Sequence, residues 1–160
     1  MAAKPLPRRP SSLRLFAVAL SALAIAAAGC GGESKQESYR KEFQGVNRSL
    51  VQLGLAVRQG FQTAPGKSNG RLRREFGDFA DRLHKIRGDL DGLDPPSRLA
   101  SEQGAVLRAM ARVEGGLRGI ERAAAKGNFN AARRATVRFF VASASLKRAR
   151  QRLNRDVRKG

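Results

Sequence analysis

The chain has 160 residues and is strongly basic, with 32 lysine and arginine residues against 13 aspartate and glutamate residues and a formal net charge of +19 at pH 7. Its length suits a single domain, and its single cysteine excludes an intrachain disulfide. Alanine, leucine and arginine dominate while β-branched residues are few and scattered, a composition that favours helix over strand.

The start of the chain has the three-part pattern of a secretory signal peptide. Residues 1–14 carry basic side chains and no acidic one, and residues 15–28 carry no charge at all. This apolar run has 14 residues, whereas a helix that spans a bilayer needs about 20. The pattern therefore predicts a cleaved leader over residues 1–29 rather than a retained membrane span.

Small residues precede the cysteine at the end of this leader, in the order Ala27, Ala28, Gly29 and Cys30. The run resembles the lipobox of bacterial lipoproteins, with Ala27 at a position where that family prefers leucine. The resemblance implies that the Cys30 thiol carries a diacylglyceryl group and that a peptidase cuts between Gly29 and Cys30. It also implies a cell-membrane location on the extracytoplasmic face, and no cofactor besides the covalent lipid.

That cut would leave residues 30–160, which are 131 residues with 28 basic and 13 acidic side chains and a net charge of +15. We expect residues 30–36 to form a short spacer that carries the lipidated cysteine, and residues 37–160 to form a helical bundle. Because the spacer is short, the bundle would lie close to the lipid surface.

The first predicted helix covers about residues 36–60. Ser34 and Glu37 have the spacing of a capping box, with Ser34 as the N-cap, and Gly60 is expected to end the helix. Apolar residues recur at intervals of four and three, which places them in a stripe along one helical face. The stripe consists of Tyr39, Phe43, Val46, Leu50, Leu53 and Val57.

A loop with several turn-forming residues is predicted over residues 61–70, FQTAPGKSNG. The second predicted helix covers about residues 71–90 and repeats the apolar spacing of the first. Its stripe consists of Leu72, Phe76, Phe79, Leu83, Ile86 and Leu90.

The sharpest break in the chain is residues 91–96, Asp-Gly-Leu-Asp-Pro-Pro, where Gly92 suits the C-terminus of the second helix. We expect Asp94 to be the N-cap and Pro95 the first residue of the third helix, about residues 95–126. The stripe of this helix is Leu99, Val106, Met110, Val113, Leu117, Ile120 and Ala124, with Gln103 in the one polar position. We interpret its glycines as places of close helix–helix approach, because each costs about 1 kcal/mol of helix propensity. They are Gly104, Gly115, Gly116 and Gly119.

Gly127 is expected to end the third helix and Asn128 to begin the fourth, about residues 129–157. The stripe of this last helix is Ala132, Ala135, Phe139, Ala142, Leu146, Ala149 and Leu153. Four amphipathic helices joined by short connections predict an all-α, antiparallel up-down-up-down four-helix bundle. A three-helix bundle with one detached helix is the alternative. The Leu-Asp-Pro-Pro connection is similar to that of small helical bacterial lipoproteins with no assigned activity, which supports the fold and implies no function.

The sequence nominates no catalytic residue, and we expect a protein that is not an enzyme. The one histidine, His84, lies beside the stripe of the second helix and is expected to be a solvated surface side chain. No spacing of histidine, cysteine and carboxylate residues predicts a metal site. Haem is disfavoured because Met110 lies on the apolar stripe and His84 does not. A ligand pocket between the helices stays open as a possibility, since such sites leave no mark in a sequence.

Positive charge is the remaining functional signal. Nine basic residues wrap the polar face of the fourth helix and form the candidate contact with an anionic surface: Arg133, Arg134, Arg138, Lys147, Arg148, Arg150, Arg152, Arg155 and Arg158. A lysine or arginine near an anionic membrane contributes about 1 kcal/mol. We therefore favour a lipid-anchored envelope protein with a structural or interaction role, whose basic face contacts anionic lipid or cell-wall polymer.

Two other interpretations of the charge stay open. The first is a basic face that is only solvated. The second is a nucleic-acid-binding helical module with an uncleaved leader, which is disfavoured because aromatic residues do not alternate with the basic ones. No feature of the sequence points to a particular protein partner.

Overall fold

The computed structural model describes residues 34–159, which fold into four α-helices and a short 3₁₀ turn. Helix α1 covers Lys35–Gln62, α2 Asn69–Asp91, α3 Ala100–Ala125 and α4 Phe129–Arg158, and the 3₁₀ turn covers Ser97–Leu99. The described residues contain no strand, so the predicted all-α four-helix fold is confirmed. None of these four helices has the length and apolarity needed to cross a bilayer.

Each helix packs against the next one along the chain. The helix α1 is part of the bundle, because its stripe residue Phe43 is only 1% exposed. The end of α1 also meets the first half of α4, where the ring of Phe61 lies 5.3 Å from those of Phe139 and Phe140, measured between centroids. The alternative with a detached helix therefore does not describe this fold.

The predicted apolar stripes form the core. Nearly all of their residues are buried, and the exceptions, Leu72, Ala132 and Leu146, are partly buried. The polar position Gln103 is also buried, and its side-chain amide donates to the carbonyl oxygens of Leu90, at 3.0 Å, and Leu93, at 3.3 Å. Gln103 thus joins α3 to the C-terminal end of α2.

Three of the four helices begin with a side-chain cap. In each, a Ser or Asn side-chain oxygen accepts a hydrogen bond from a backbone N–H group that has no partner within the helix. Ser34 accepts from the N–H of Glu37 and Asn128 from the N–H of Ala131, which confirms both predicted N-caps. Ser68 caps α2 by accepting from the N–H of Arg71, and α2 therefore begins at Asn69, inside the predicted loop.

The predicted end of the first helix at Gly60 is wrong. Helix α1 continues to Gln62, and Thr63 caps it by directing both its N–H and its hydroxyl to the carbonyl oxygen of Gln59. Gly60 is buried beside Phe79, whose ring would lie 2.7 Å from a Cβ at that position. Glycine here permits close packing of α1 on α2 and does not terminate the helix.

The predicted start of the third helix at Pro95 is also wrong, since α3 begins at Ala100 after the 3₁₀ turn. A residue that precedes proline is disfavoured in the α conformation, and Pro95 precedes Pro96. Pro96 itself is extended, with ψ of 144°. Asp94 therefore caps no helix, and its carboxylate instead lies 2.6 Å from Nζ of Lys35.

Two glycines of α3 confirm the prediction of close helix–helix approach. A Cβ at Gly116 would lie 2.8 Å from Cα of Phe139, and one at Gly119 would lie 3.0 Å from Cβ of Ala135. Both contacts are with α4, so α3 and α4 are tightly apposed. Gly115, in contrast, has nothing within 4 Å of its Cβ position, and Gly104 faces only the Arg108 side chain.

Candidate functional site

The predicted lipid-attachment residue Cys30, with the rest of the lipobox at residues 27–30, lies outside the described residues. The lipid anchor therefore stays a prediction from the sequence. The described residues offer two other features, a cluster of arginines between α3 and α4 and an apolar groove between α1 and α4.

The nine basic residues predicted on α4 do not share one face. All are exposed except Arg150, which is partly buried, and none forms an ion pair with a carboxylate of the described residues. Arg148 and Arg152 point to α3, whereas Lys147 and Arg150 point to α1. The structure therefore divides the predicted face into two sides with different neighbours.

Four arginines line one cavity between α3 and α4. Arg108 and Arg112 of α3 face Arg148 and Arg152 of α4 across a shallow cavity of about 320 Å³. Each pair is spaced four residues apart, which places its two members on the same side of a helix. We call these four residues and the cavity between them the four-arginine cleft.

The backbone geometry explains why the four arginines meet. Small residues lie where the two helices touch, with Ala105 and Ala149 lining the cleft itself and Gly116 and Gly119 packed on α4 further along. Because α3 and α4 are close together, the side chains on either side of their line of contact extend into the same space. Arg148 is partly fixed there, as it donates to the hydroxyl of Ser145 at 3.3 Å.

Acidic residues lie instead on the opposite seam, between α2 and α3. The guanidinium of Arg118 donates to the carboxylates of Glu121 and Asp81, and these hydrogen bonds raise the pKa of Arg118. His84 is exposed, as predicted, but its Nδ1 lies 3.2 Å from Oε1 of Glu114 on α3. Positive charge on this seam is thus compensated locally, in contrast to the four-arginine cleft.

Sequence reasoning found two of the four cleft residues and missed Arg108 and Arg112. The fourth helix was singled out because its basic residues form a dense run, and α3 has no such run. The available signal was the matching four-residue spacing of arginines in the two helices. That signal acquires meaning only when the register of α3 against α4 is known.

An apolar groove of about 540 Å³ separates α1 from α4. Its floor consists of stripe residues from all four helices, and its rim carries Arg58, Gln62, Ser143, Lys147 and Arg150. The floor residues were predicted as core, and nothing in their spacing indicates that they border an opening.

The described residues show no cluster of three or more histidine, cysteine, aspartate or glutamate side chains that could hold a metal ion. The comparisons with known proteins add no assignment. No protein-family model, curated protein or solved structure matched the chain.

Proposed function

We propose that this protein is a lipid-anchored, extracytoplasmic helical bundle with a non-enzymatic structural or interaction role at the cell envelope. In this proposal Cys30 carries the lipid, and the basic side of the bundle contacts anionic lipid or cell-wall polymer. The contact with an anionic partner is supported by the four-arginine cleft. It holds four positive charges, and none of them pairs with a carboxylate of the described residues.

The electrostatics of the cleft favour an anionic partner. Like charges four residues apart on a helix destabilise it by about 0.2–0.5 kcal/mol per pair, so the arrangement costs stability unless an anion offsets it. Guanidinium groups bind phosphate and carboxylate oxygens in bidentate fashion, which suits a polymer or headgroup with repeated anionic groups.

The proposed anchor would place this cleft within reach of the membrane. Five residues lead from Cys30 to Lys35, the first residue of α1, and an extended chain of that length spans at most about 18 Å. An anionic surface attracts basic groups only within about a Debye length, roughly 8 Å at physiological salt. A short tether therefore makes contact between the basic side chains and the envelope frequent.

The location is tested by intact mass and fractionation. We expect the native protein in detergent-extracted membranes to have the mass of residues 30–160 plus a diacylglyceryl group, with or without a further acyl chain. Cys30→Ser should leave the membrane fraction or accumulate as an unprocessed precursor. A Cys30→Ser protein that is still matured and membrane-bound would refute the lipid anchor.

The cleft is tested with the full lipidated chain in nanodiscs of phosphatidylcholine. Labelled polyphosphate is titrated against the wild type and against the Gln variant of Arg108, Arg112, Arg148 and Arg152. The matched control removes the same charge from α2, by changing Arg71, Arg73, Arg74 and Arg82 to Gln. We expect affinity to fall at least about tenfold, or 1.4 kcal/mol, more in the cleft variant than in the control.

Equal losses in the two variants would show that only net charge matters and would refute the cleft as a site. A second arm exchanges phosphatidylcholine for phosphatidylglycerol and maps arginines that phenylglyoxal no longer modifies. Protection of the cleft arginines in that arm identifies lipid headgroups as the anionic partner. Submicromolar binding to duplex DNA at physiological salt, with a steep salt dependence, would favour the nucleic-acid alternative.

A further inference from the structure

The groove between α1 and α4 has the form of a binding site for an elongated apolar molecule. It runs along α1 from Leu50 to Phe61 and along α4 from Phe139 to Arg150. Each stretch advances 11 residues, which is about 16 Å at 1.5 Å per residue. The volume of about 540 Å³ lies within the range of roughly 300–1,000 Å³ typical of small-molecule sites.

The walls of the groove are apolar along most of this length. Leu83 and Leu117, from α2 and α3, form part of the floor and are at most 2% exposed. Phe61, Phe139 and Phe140 close one end, with ring centroids 5.3–5.4 Å apart. An apolar chain in this space would contact the bundle core directly and end against the three rings.

The rim is positively charged and polar. Arg58 of α1 and Lys147 and Arg150 of α4 border the opening, and none of them pairs with a carboxylate of the described residues. The Nε of Arg150 is buried and has no hydrogen-bond partner. Buried polar groups of this kind normally have one, so this donor is available to an acceptor at the rim.

We propose that the α1–α4 groove binds a long-chain fatty acid. Its alkyl chain lies along the apolar floor toward the phenylalanine rings. Its carboxylate accepts hydrogen bonds from Lys147 and Arg150, at the end of the groove away from the rings. Carboxylate is the anion that a guanidinium fork matches best in geometry and charge, and one alkyl chain matches the single elongated groove.

A helix from a second copy or a partner protein fits the groove less well. Such a partner would leave the rim cations without an anion unless it supplied carboxylates at matching positions. Binding in this groove requires neither the lipid on Cys30 nor the four-arginine cleft, because the groove lies on the other side of α4.

Gly54 gives a variant that fills the groove and spares the fold. It lines the groove, and nothing lies within 4 Å of its Cβ position. Gly54→Leu therefore adds a side chain in the opening without a backbone clash, and it replaces a glycine in a helix interior with a strong helix former. Gly115→Leu on α3 is the matched control, because its Cβ position is equally open and lies outside the groove.

The experiment uses the full lipidated chain in phosphatidylcholine nanodiscs and a diazirine analogue of palmitate. After illumination, mass spectrometry locates the labelled peptides, and unlabelled palmitate competes for the site. We expect label on α1 and α4 around Gly54 and Lys147. We expect Gly54→Leu to reduce this label about tenfold or more and Gly115→Leu to leave it unchanged.

The role of the rim is tested with Lys147→Gln combined with Arg150→Gln. This variant should lose label from the acid probe while retaining label from the corresponding methyl ester. Label that is unchanged by Gly54→Leu, or that is spread evenly over the exposed surface, would overturn the proposal. Cross-linking of the groove to a second copy, with no palmitate competition, would assign the groove to self-association instead and would equally overturn it.

Discussion

Adjacent glycines in α3 allow the packing of α3 on α4 to be tested with one substitution at two positions. Gly115 and Gly116 have the same helical backbone, but only Gly116 faces α4. We expect Gly115→Ala to raise the free energy of unfolding by about 1 kcal/mol, the helix propensity that alanine gains over glycine. We expect Gly116→Ala to lower it.

The size of the expected loss in the free energy of unfolding follows from the atoms that a new Cβ at Gly116 would contact. They are Cα at 2.8 Å, Cβ at 2.9 Å and the backbone N at 3.2 Å, all of Phe139. No rotamer change can relieve contacts with backbone, so α4 must shift, and overpacking of this kind costs about 1–3 kcal/mol. Because both variants gain the same propensity, the difference between them isolates this cost and should be about 1–3 kcal/mol.

The measurement is urea unfolding of the purified full-length chain, followed by far-UV circular dichroism for the wild type and each variant. Gly119→Ala extends the series, since its Cβ would lie 3.0 Å from Cβ of Ala135, and it should fall between the other two. If Gly115→Ala and Gly116→Ala raise the free energy of unfolding equally, α3 and α4 are not apposed at this point. The geometry of the four-arginine cleft would then be wrong as well.

Two further predictions concern buried polar groups. Burial raises the pKa of the Tyr39 phenol from 10.0 to about 12, so its neutral form stabilises the fold below pH 10 and that contribution is lost as the pH rises toward 12. Tyr39→Phe should remove this loss, which is at most about 3 kcal/mol, and the absorbance of the single tyrosine in the chain reports its ionisation directly. Gln103→Met should lower the free energy of unfolding in urea by about 1 kcal/mol, because the carbonyl of Leu93 loses its side-chain donor while the buried, unpartnered Oε1 of Gln103 is removed as well. A variant more stable than the wild type would show that the unpartnered oxygen outweighs this bond.

The positions and types of the helices could be predicted from local chemistry, because the 3-4 spacing of apolar residues and the capping residues act within a few positions of each other. The errors at Gly60 and Pro95 arose because each residue type has two physical uses. Glycine can end a helix, and it can also allow close packing. Which of the two applies at Gly60 depends on its contact with Phe79 of α2, which the local sequence of α1 does not reveal. Proline suits the first turn of a helix, but Pro95 is prevented from that role by the proline that follows it.

The candidate sites could be predicted less well, since both depend on register between helices. Arg148 and Arg152 stood out in the sequence, but their partners Arg108 and Arg112 are identified only by the packing of α3 on α4. The groove has no sequence signal for a different reason. Leu53 and the other floor residues would be apolar in a sealed core as well as at the floor of a groove. The spacing of apolar residues therefore cannot distinguish the two.

The two sides of α4 differ because the residues at their seams differ in size. Toward α3 the contacts involve Gly116, Gly119 and Ala135, which bring the backbones together and leave long charged side chains to meet outside the contact. Toward α1 the contacts involve the large rings of Phe61 and Phe140, which meet at one end and leave an open space along the rest of the seam. One helix thus presents a guanidinium cleft on one side and an apolar groove with a basic rim on the other. Both would select anions, but the cleft suits a fully polar one and the groove suits one that carries an alkyl chain.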